Sequence, residues 1–230
     1  MSKLDAINFG DCLPWLKAMP SCSVDALVTD IPYGISQDSA GLRNLNYGTW
    51  DATGDVQEHI SEALRVSRGA AFVFCDGRQL SWVLNLLERD GMTVRQFAWH
   101  KPNPSPMNGN HVLLSAVELA AWGKRPLAYF GGHCEHNFWE GTAPSHSSRI
   151  HPTQKPLDLV EHIVRLCCPE GGTVLDPFAG SGTTAVACIR SGRHFIAAEN
   201  DQENFEAAKA WIGRERRAQL SQFDLQEAPK

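Results

Sequence analysis

The chain has 230 residues and seven cysteines, but no Cys-x-x-Cys pair and no regular cysteine spacing. A disulfide scaffold is therefore not expected, and reduced thiols in a cytosol are the simplest reading. His133, Cys134 and His136 fit no standard zinc pattern, so no metal is expected. No apolar run approaches the roughly 20 residues of a membrane helix. The opening residues Met1-Ser2-Lys3-Leu4-Asp5 lack the hydrophobic region of a signal peptide, and the expected location is cytoplasmic. Repeats and low-complexity tracts are missing as well. Basic excess is also lacking, since the net charge is −5. The deficit is uneven. Between Arg95 and Lys155 six Lys and Arg face three Glu, which leaves +3 there and −8 elsewhere. Six of the nine histidines share that window. A locally basic face on an acidic body suits a polyanion partner.

Alternating strand and helix patterns are present. Strand patterns cover Leu4–Phe9, Val24–Val28, Ala70–Cys75, Thr93–His100, Gly172–Asp176 and His194–Glu199. Helix patterns cover Leu13–Met19, Asp55–Arg68, Arg78–Glu88, Leu157–Cys168 and Gly180–Arg190, with a final helix from Asn200 or Asp201 to about Gln219. This rhythm predicts an α/β fold, a doubly wound, mostly parallel Rossmann-like sheet with helices on both faces. Residues 35–53 are rich in Ser, Gly and Asn and read as a long loop, a lid or substrate clamp. Pro102, Pro104 and Pro106 break the rhythm. Apart from one further strand within Val112–Trp122, residues 101–150 read as a small, loop-rich inserted module that contacts the substrate.

Two stretches carry chemistry. Thr29-Asp30-Ile31-Pro32-Tyr33-Gly34 follows a buried strand and leaves a carboxylate, a free carbonyl and an aromatic ring at its carboxyl end, where open α/β sheets bind ligands. Far downstream, Asp176-Pro177-Phe178-Ala179-Gly180-Ser181-Gly182-Thr183 runs from a strand end through a tight turn into a helix. Free N–H groups and partial positive charge at that helix start suit a carboxylate or phosphate. Glu199 ends the next strand, 17 residues after Gly182, close to the offset of a ribose-binding acid. Gly180-x-Gly182-x-x-Ala185 also fits a dinucleotide fingerprint, so an NAD-dependent oxidoreductase stays open on this motif. Asp176 and Phe178 instead suit a ligand with an ammonium and an adenine. Asp11, at the first strand's end, reads either as a ligand contact or as the cap of the next helix.

Asp30-Ile31-Pro32-Tyr33 resembles the Asp-Pro-Pro-Tyr motif of amino-group DNA methyltransferases, and the Asp176–Gly182 stretch resembles their S-adenosylmethionine loop. His151-Pro152-Thr153-Gln154-Lys155-Pro156 is similar to the segment that precedes this loop in the β group of that family. The order also matches that group: catalytic motif first, target-recognition region in the middle, cofactor loop last, over about residues 4–215. The resemblance implies one methyltransferase domain of circularly permuted order over 1–230, with 101–150 as the target-recognition segment. It implies S-adenosyl-L-methionine as cofactor and double-stranded DNA as partner, and it admits a homodimer and a cognate restriction endonuclease.

Carried over by position, Asp30, Ile31, Pro32 and Tyr33 take the substrate base. Asp11, Asp30, His151, Lys155, Asp176, Pro177, Phe178, Gly180, Ser181, Gly182, Thr183, Glu199 and Asn200 surround the cofactor. Ile31 stands where the family usually has Pro and still supplies the backbone carbonyl that the family uses. The implied reaction is methylation of the adenine N6 amine in a specific DNA sequence, with N4-cytosine methylation and a DNA-binding pseudoenzyme as alternatives. Cytosine C5 methylation needs a Pro-Cys nucleophile, and none occurs. Within 101–150, Lys101, Asn103, Asn108, Asn110, Arg125 and Arg149 carry donors suited to base edges or phosphates.

Overall fold

A computed structural model describes residues 4–33, 56–106, 109–144 and 154–227. The elements run β1 (Ala6–Phe9), α1 (Leu13–Ala18), β2 (Val24–Asp30), α2 (Val56–Val66), β3 (Ser67–Cys75), α3 (Leu80–Arg89), β4 (Thr93–His100), β5 (Val117–Lys124), β6 (Phe138–Glu140), α4 (Leu157–Cys167), β7 (Thr173–Asp176), α5 (Thr183–Ser191), β8 (His194–Glu199) and α6 (Gln202–Glu227). The eight strands form one sheet in the order β1-β8-β7-β2-β3-β5-β4-β6. β5 runs antiparallel to both neighbours, β3 and β4. The other pairs are parallel.

Side chains alternate across the sheet, because successive strand residues point to opposite faces. On β3, Ala70, Phe72 and Phe74 pack on one face with Leu159, Ile163 and Val186 from α4 and α5. Ala71, Val73 and Cys75 pack on the other with Leu16, Ile60, Leu64 and Leu87 from α1, α2 and α3. Helix α4 buries Leu159, Val160, Ile163, Val164 and Cys167, a stripe at helical spacing that faces the sheet. Among the described residues, no helix is long and apolar enough to cross a membrane.

The doubly wound, mostly parallel sheet follows the sequence expectation, with corrections in detail. The helix expected to reach Arg68 stops at Val66, because Ser67 already pairs with Val24 as the start of β3. The last helix extends past Gln219 to Glu227. The strand expected within Val112–Trp122 is present as β5, which runs on to Lys124; it lies inside the sheet and contributes the buried Ala120 and Ala121 to the two faces of the core. The short β6 adds an edge strand beside β4.

From β2 the chain moves through α2 to β3 on one side. From β7 it moves through α5 to β8 on the other. The winding therefore reverses between the neighbours β2 and β7. A crevice opens at the carboxyl ends of strands at such a reversal.

Candidate active site

β2 and β7 end side by side, and their end residues are tied together. The Thr29 hydroxyl donates to Asp176 Oδ1 at 2.8 Å. One cleft is lined by both stretches, including Asp30, Ile31, Pro32 and Tyr33 from the first and Asp176, Phe178, Gly180, Ser181 and Thr183 from the second. Its volume is about 930 Å³, open mouth included. The segments more than 140 residues apart thus meet across a single site.

The first wall is built on the end of β2. The Ile31 N–H donates to Phe74 O at 3.2 Å, which carries the β2–β3 pairing one residue beyond the strand. A proline at this position has no N–H and could not make that bond. The Ile31 side chain is buried against the α2 face of the sheet, and this anchors the turn in another way. Pro32 O accepts from Gln79 Nε2 at 2.8 Å. The Tyr33 hydroxyl donates to Asp30 Oδ1 at 2.8 Å. Lys155 Nζ donates to Asp30 Oδ2 at 2.5 Å and to the Tyr33 hydroxyl at 3.2 Å. Burial raises the Asp30 carboxyl above its ordinary value, against the opposite pull of Lys155. Burial pulls the Lys155 ammonium down, but Asp30 and Glu118 outweigh it and hold the group at about 12.

The second wall is the glycine turn. Gly180 has φ +50° and open space where a Cβ would stand, so the backbone there is bare toward the cleft. Gly182, φ +81°, caps α5, and a Cβ on it would lie 3.0 Å from the Ala208 side chain. Glu199 holds the turn: Gly180 N–H donates to its Oε2 at 2.7 Å, and Asp201 N–H to its Oε1 at 2.8 Å. Asp176 is buried, accepts from Phe178 N–H at 3.2 Å, and is pushed up to about 6 chiefly by burial. The hydroxyls of Ser181 and Thr183 bond each other at 2.8 Å.

Asn200 also lines the cleft, with Gln154, Lys155, Thr184 and Asn204. Thr184 and Asn204 escaped the sequence reading, and Thr29, which begins the first stretch, was given no role of its own. Asn204 could have been found as the first-turn residue that faces back from the helix after Glu199. Pro177, Gly182 and Asp11 do not line the cleft. Asp11 accepts from Leu13 N–H at 3.0 Å, which lowers its pKa, so the helix-start role is realised. It also meets His59 Nε2 at 3.1 Å, and the His59 ring lies 5.8 Å from that of Phe178, so Asp11 touches the rim through His59. Gly34, the 35–53 loop, Asn108, Arg149 and His151 lie outside the described residues.

Among the described residues, Lys101, Lys124, Arg125 and Lys155 of the basic window do not form a free cationic face. Lys101 donates to Glu118 at 3.0 Å and its side chain is only 13% exposed. Lys124 Nζ donates to the carbonyls of Arg125 and Ala128. Arg125 pairs with the Asp90 carboxylate and donates to the carbonyls of Asp90, Leu64 and Ser67. It lies at the amino end of β3, opposite the cleft. Arg125 and Lys101, read from the sequence as DNA contacts, each donate to acceptors within the chain. Asn103 is exposed and accepts from Ala143 N–H at 3.1 Å at the cleft end of the sheet.

Three strand-end acids, Asp30, Asp176 and Glu199, ring the cleft. Such a site disfavours the pyrophosphate of a dinucleotide and favours a cationic nucleoside. The NAD reading of the glycine turn is thereby corrected. Together with the strand order, the site defines an α/β fold of the methyltransferase class.

Comparison with known proteins agrees. A family model described as DNA methylase matches residues 124–210. The type II methyltransferase M2.DpnII of Streptococcus pneumoniae is 26% identical, with 86% of each chain covered. M2.MboI of Moraxella bovis is 25% identical, over 87% of this chain and 84% of its own. Among solved structures, a complex of M1.HpyAVI with SAM shares 29% identity at a TM-score of 0.70, over 89% of this chain and 97% of that one. In sequence and in fold the chain is thus similar to N6/N4 DNA methyltransferases.

Proposed function

We propose that the protein transfers the methyl group of S-adenosyl-L-methionine to the N6 amine of adenine in a specific sequence of double-stranded DNA. The observation that carries this reading is the cleft itself, lined by the Asp30–Tyr33 turn and by Phe178, Gly180, Ser181 and Thr183. The cofactor fits the residues present. The bare backbone at Gly180 admits close approach of a ligand, the Phe178 ring suits an adenine, and the acids suit ribose hydroxyls and an ammonium. In this reading Glu199 and Asn200 hold the ribose, Phe178 the adenine, and Asp176 the amino-acid end, with Ser181 and Thr183 beside it. When bound, the cofactor supplies an electrophilic sulfonium methyl.

The rest of the chemistry belongs to the chain. An exocyclic amine on adenine is a poor nucleophile, because its lone pair is delocalised into the ring. Asp30 and the Ile31 carbonyl accept its two hydrogens and draw the nitrogen toward tetrahedral geometry, which frees the lone pair. The Tyr33 ring stacks on the base once it has left the duplex. Orientation and these polar contacts supply most of the rate, and the surplus proton leaves the nitrogen after transfer. Asn103 is read as a base-edge or phosphate contact, and the target-recognition segment as the loops of 101–150 around β5.

The reading places the enzyme with bacterial or viral DNA in a host cytoplasm, alone or as a dimer, with or without a cognate endonuclease. Sequencing DNA from cells that express the protein for modified bases tests it. N6-methyladenine in one short motif is expected. DNA with no new modification, or with methylated cytosine instead, overturns it.

A further inference from the structure

We propose that Glu118 is a positioning residue for methyl transfer, offering the Lys155 ammonium a second berth so that Asp30 is released to accept the substrate amine. This deepens the role given to Asp30 above and rests on that reading. Lys155 stands between two carboxylates and is hydrogen-bonded to one. Its Nζ is 2.5 Å from Asp30 Oδ2 and 3.2 Å from Glu118 Oε2. Glu118 Oε2 is buried and, among the described residues, has no partner beyond this looser ion pair with Lys155. The other Glu118 oxygen is held by Lys101 at 3.0 Å. The Lys155 side chain is 6% exposed and lies 5.4 Å and 5.1 Å from the ring centres of Tyr33 and Phe74.

A carboxylate that already accepts an ammonium and a phenol hydroxyl is a weakened acceptor for a third donor. The amine needs a strong one. If Lys155 simply left Asp30, a buried cation would be stranded without a partner, which is strongly unfavourable. A small shift toward Glu118 exchanges one charge-assisted bond for another. Glu118 is thus suited to let the ammonium move without leaving the protein, and Lys101 limits how strongly it pulls.

Asp30 is faced by Lys155 from the segment before α4, Glu118 from β5, Cys75 from β3, Asp176 from β7 and Tyr33 from its own turn. Burial pushes the Cys75 thiol up to about 12, so it stays neutral. Glu118 opposes ionisation of Asp30 and Lys155 favours it. Removing the Glu118 charge therefore lets Asp30 ionise at lower pH. Removing Lys101 strengthens the pull of Glu118 and does the reverse.

The test is the pH profile of kcat at saturating DNA and S-adenosylmethionine for wild type, Glu118→Gln, Glu118→Asp and Lys101→Met. The expected result for Glu118→Gln is a kcat at least about tenfold lower, within the range of a single polar contribution to a proton-handling step. Its acid limb moves to lower pH, and cofactor affinity by calorimetry is unchanged. Glu118→Asp recovers part of kcat. In Lys101→Met the acid limb moves to higher pH. A purely structural role would lower activity by the same factor at every pH. Glu118→Gln turnover within about twofold of wild type, or limbs displaced in the same direction in both variants, overturns the proposal. If Glu118→Gln does not fold, the Lys101→Met limb decides: one unmoved or moved to lower pH overturns it. Absence of adenine methylation by the wild type would instead refute the proposed function.

Discussion

Asp176 shows how a single buried acid can serve a ligand at the expense of the fold. Its carboxyl is pushed from its ordinary 3.8 up to about 6 by burial, with Thr184, Thr29 and Phe178 N–H pulling the other way. A carboxyl with a raised folded pKa binds more protons folded than unfolded between those two values. Its contribution to stability is therefore lost as pH rises from about 4 to about 6, by on the order of 3 kcal/mol. Asp176→Asn keeps an Oδ1 to accept from Thr29 and Phe178 but removes the charge. The variant is expected to melt higher than wild type at pH near 8, with the advantage shrinking toward pH 4, while S-adenosylmethionine binding weakens. Thermal melts across that range check the first part and calorimetry the second. A variant less stable than wild type at high pH would mean that the buried charge is well solvated by groups around it.

At the same scale, the sequence exposed the strand-end acids, because apolar runs that stop at Asp30, Asp176 and Glu199 mark where a parallel sheet meets ligand. It did not expose Glu118. One acid inside Val117-Glu118-Leu119-Ala120-Ala121 reads as a strand boundary, and only the fold shows that Lys101 and Lys155 meet there. Ile31 was legible as a departure from the expected proline, but its N–H bond to Phe74 O depends on β3 being the neighbour.

Among the elements, β5 was the hardest to place. Its apolar run is visible, but its insertion antiparallel between β3 and β4 is set by pairing across the sheet, which periodicity does not encode. The β3 start was missed for a related reason. At the amino ends of β2 and β3 the register shifts between Val24 and Ala26. Asp25 fastens this corner: its carboxylate accepts from Arg68 and from Thr173 N–H, joining β2, β3 and β7 opposite the cleft. Gly69 lies against it so closely that a Cβ would stand 2.1 Å from Asp25 O. Gly69→Ala must therefore push the two strands apart, and overpacking of this kind costs about 1–3 kcal/mol. Denaturant unfolding should show a lower midpoint for Gly69→Ala. An unchanged midpoint would mean that the corner yields freely.

Across the whole molecule, the sheet's reversal between β2 and β7 explains why motifs at opposite ends of the chain form one site. The order of motifs in the sequence announced this meeting. The basic window did not announce its own use, because charge counting cannot see that Lys101, Lys124, Arg125 and Lys155 bind groups within the chain. The central claim is that one cleft has two walls with separate jobs, base on one side and cofactor on the other. Asp30→Ala, assayed for DNA methylation and, by calorimetry, for S-adenosylmethionine binding, tests it most directly. The account expects methylation to fall by at least about a thousandfold while cofactor affinity stays within about tenfold of wild type. Methylation at close to the wild-type rate would contradict it.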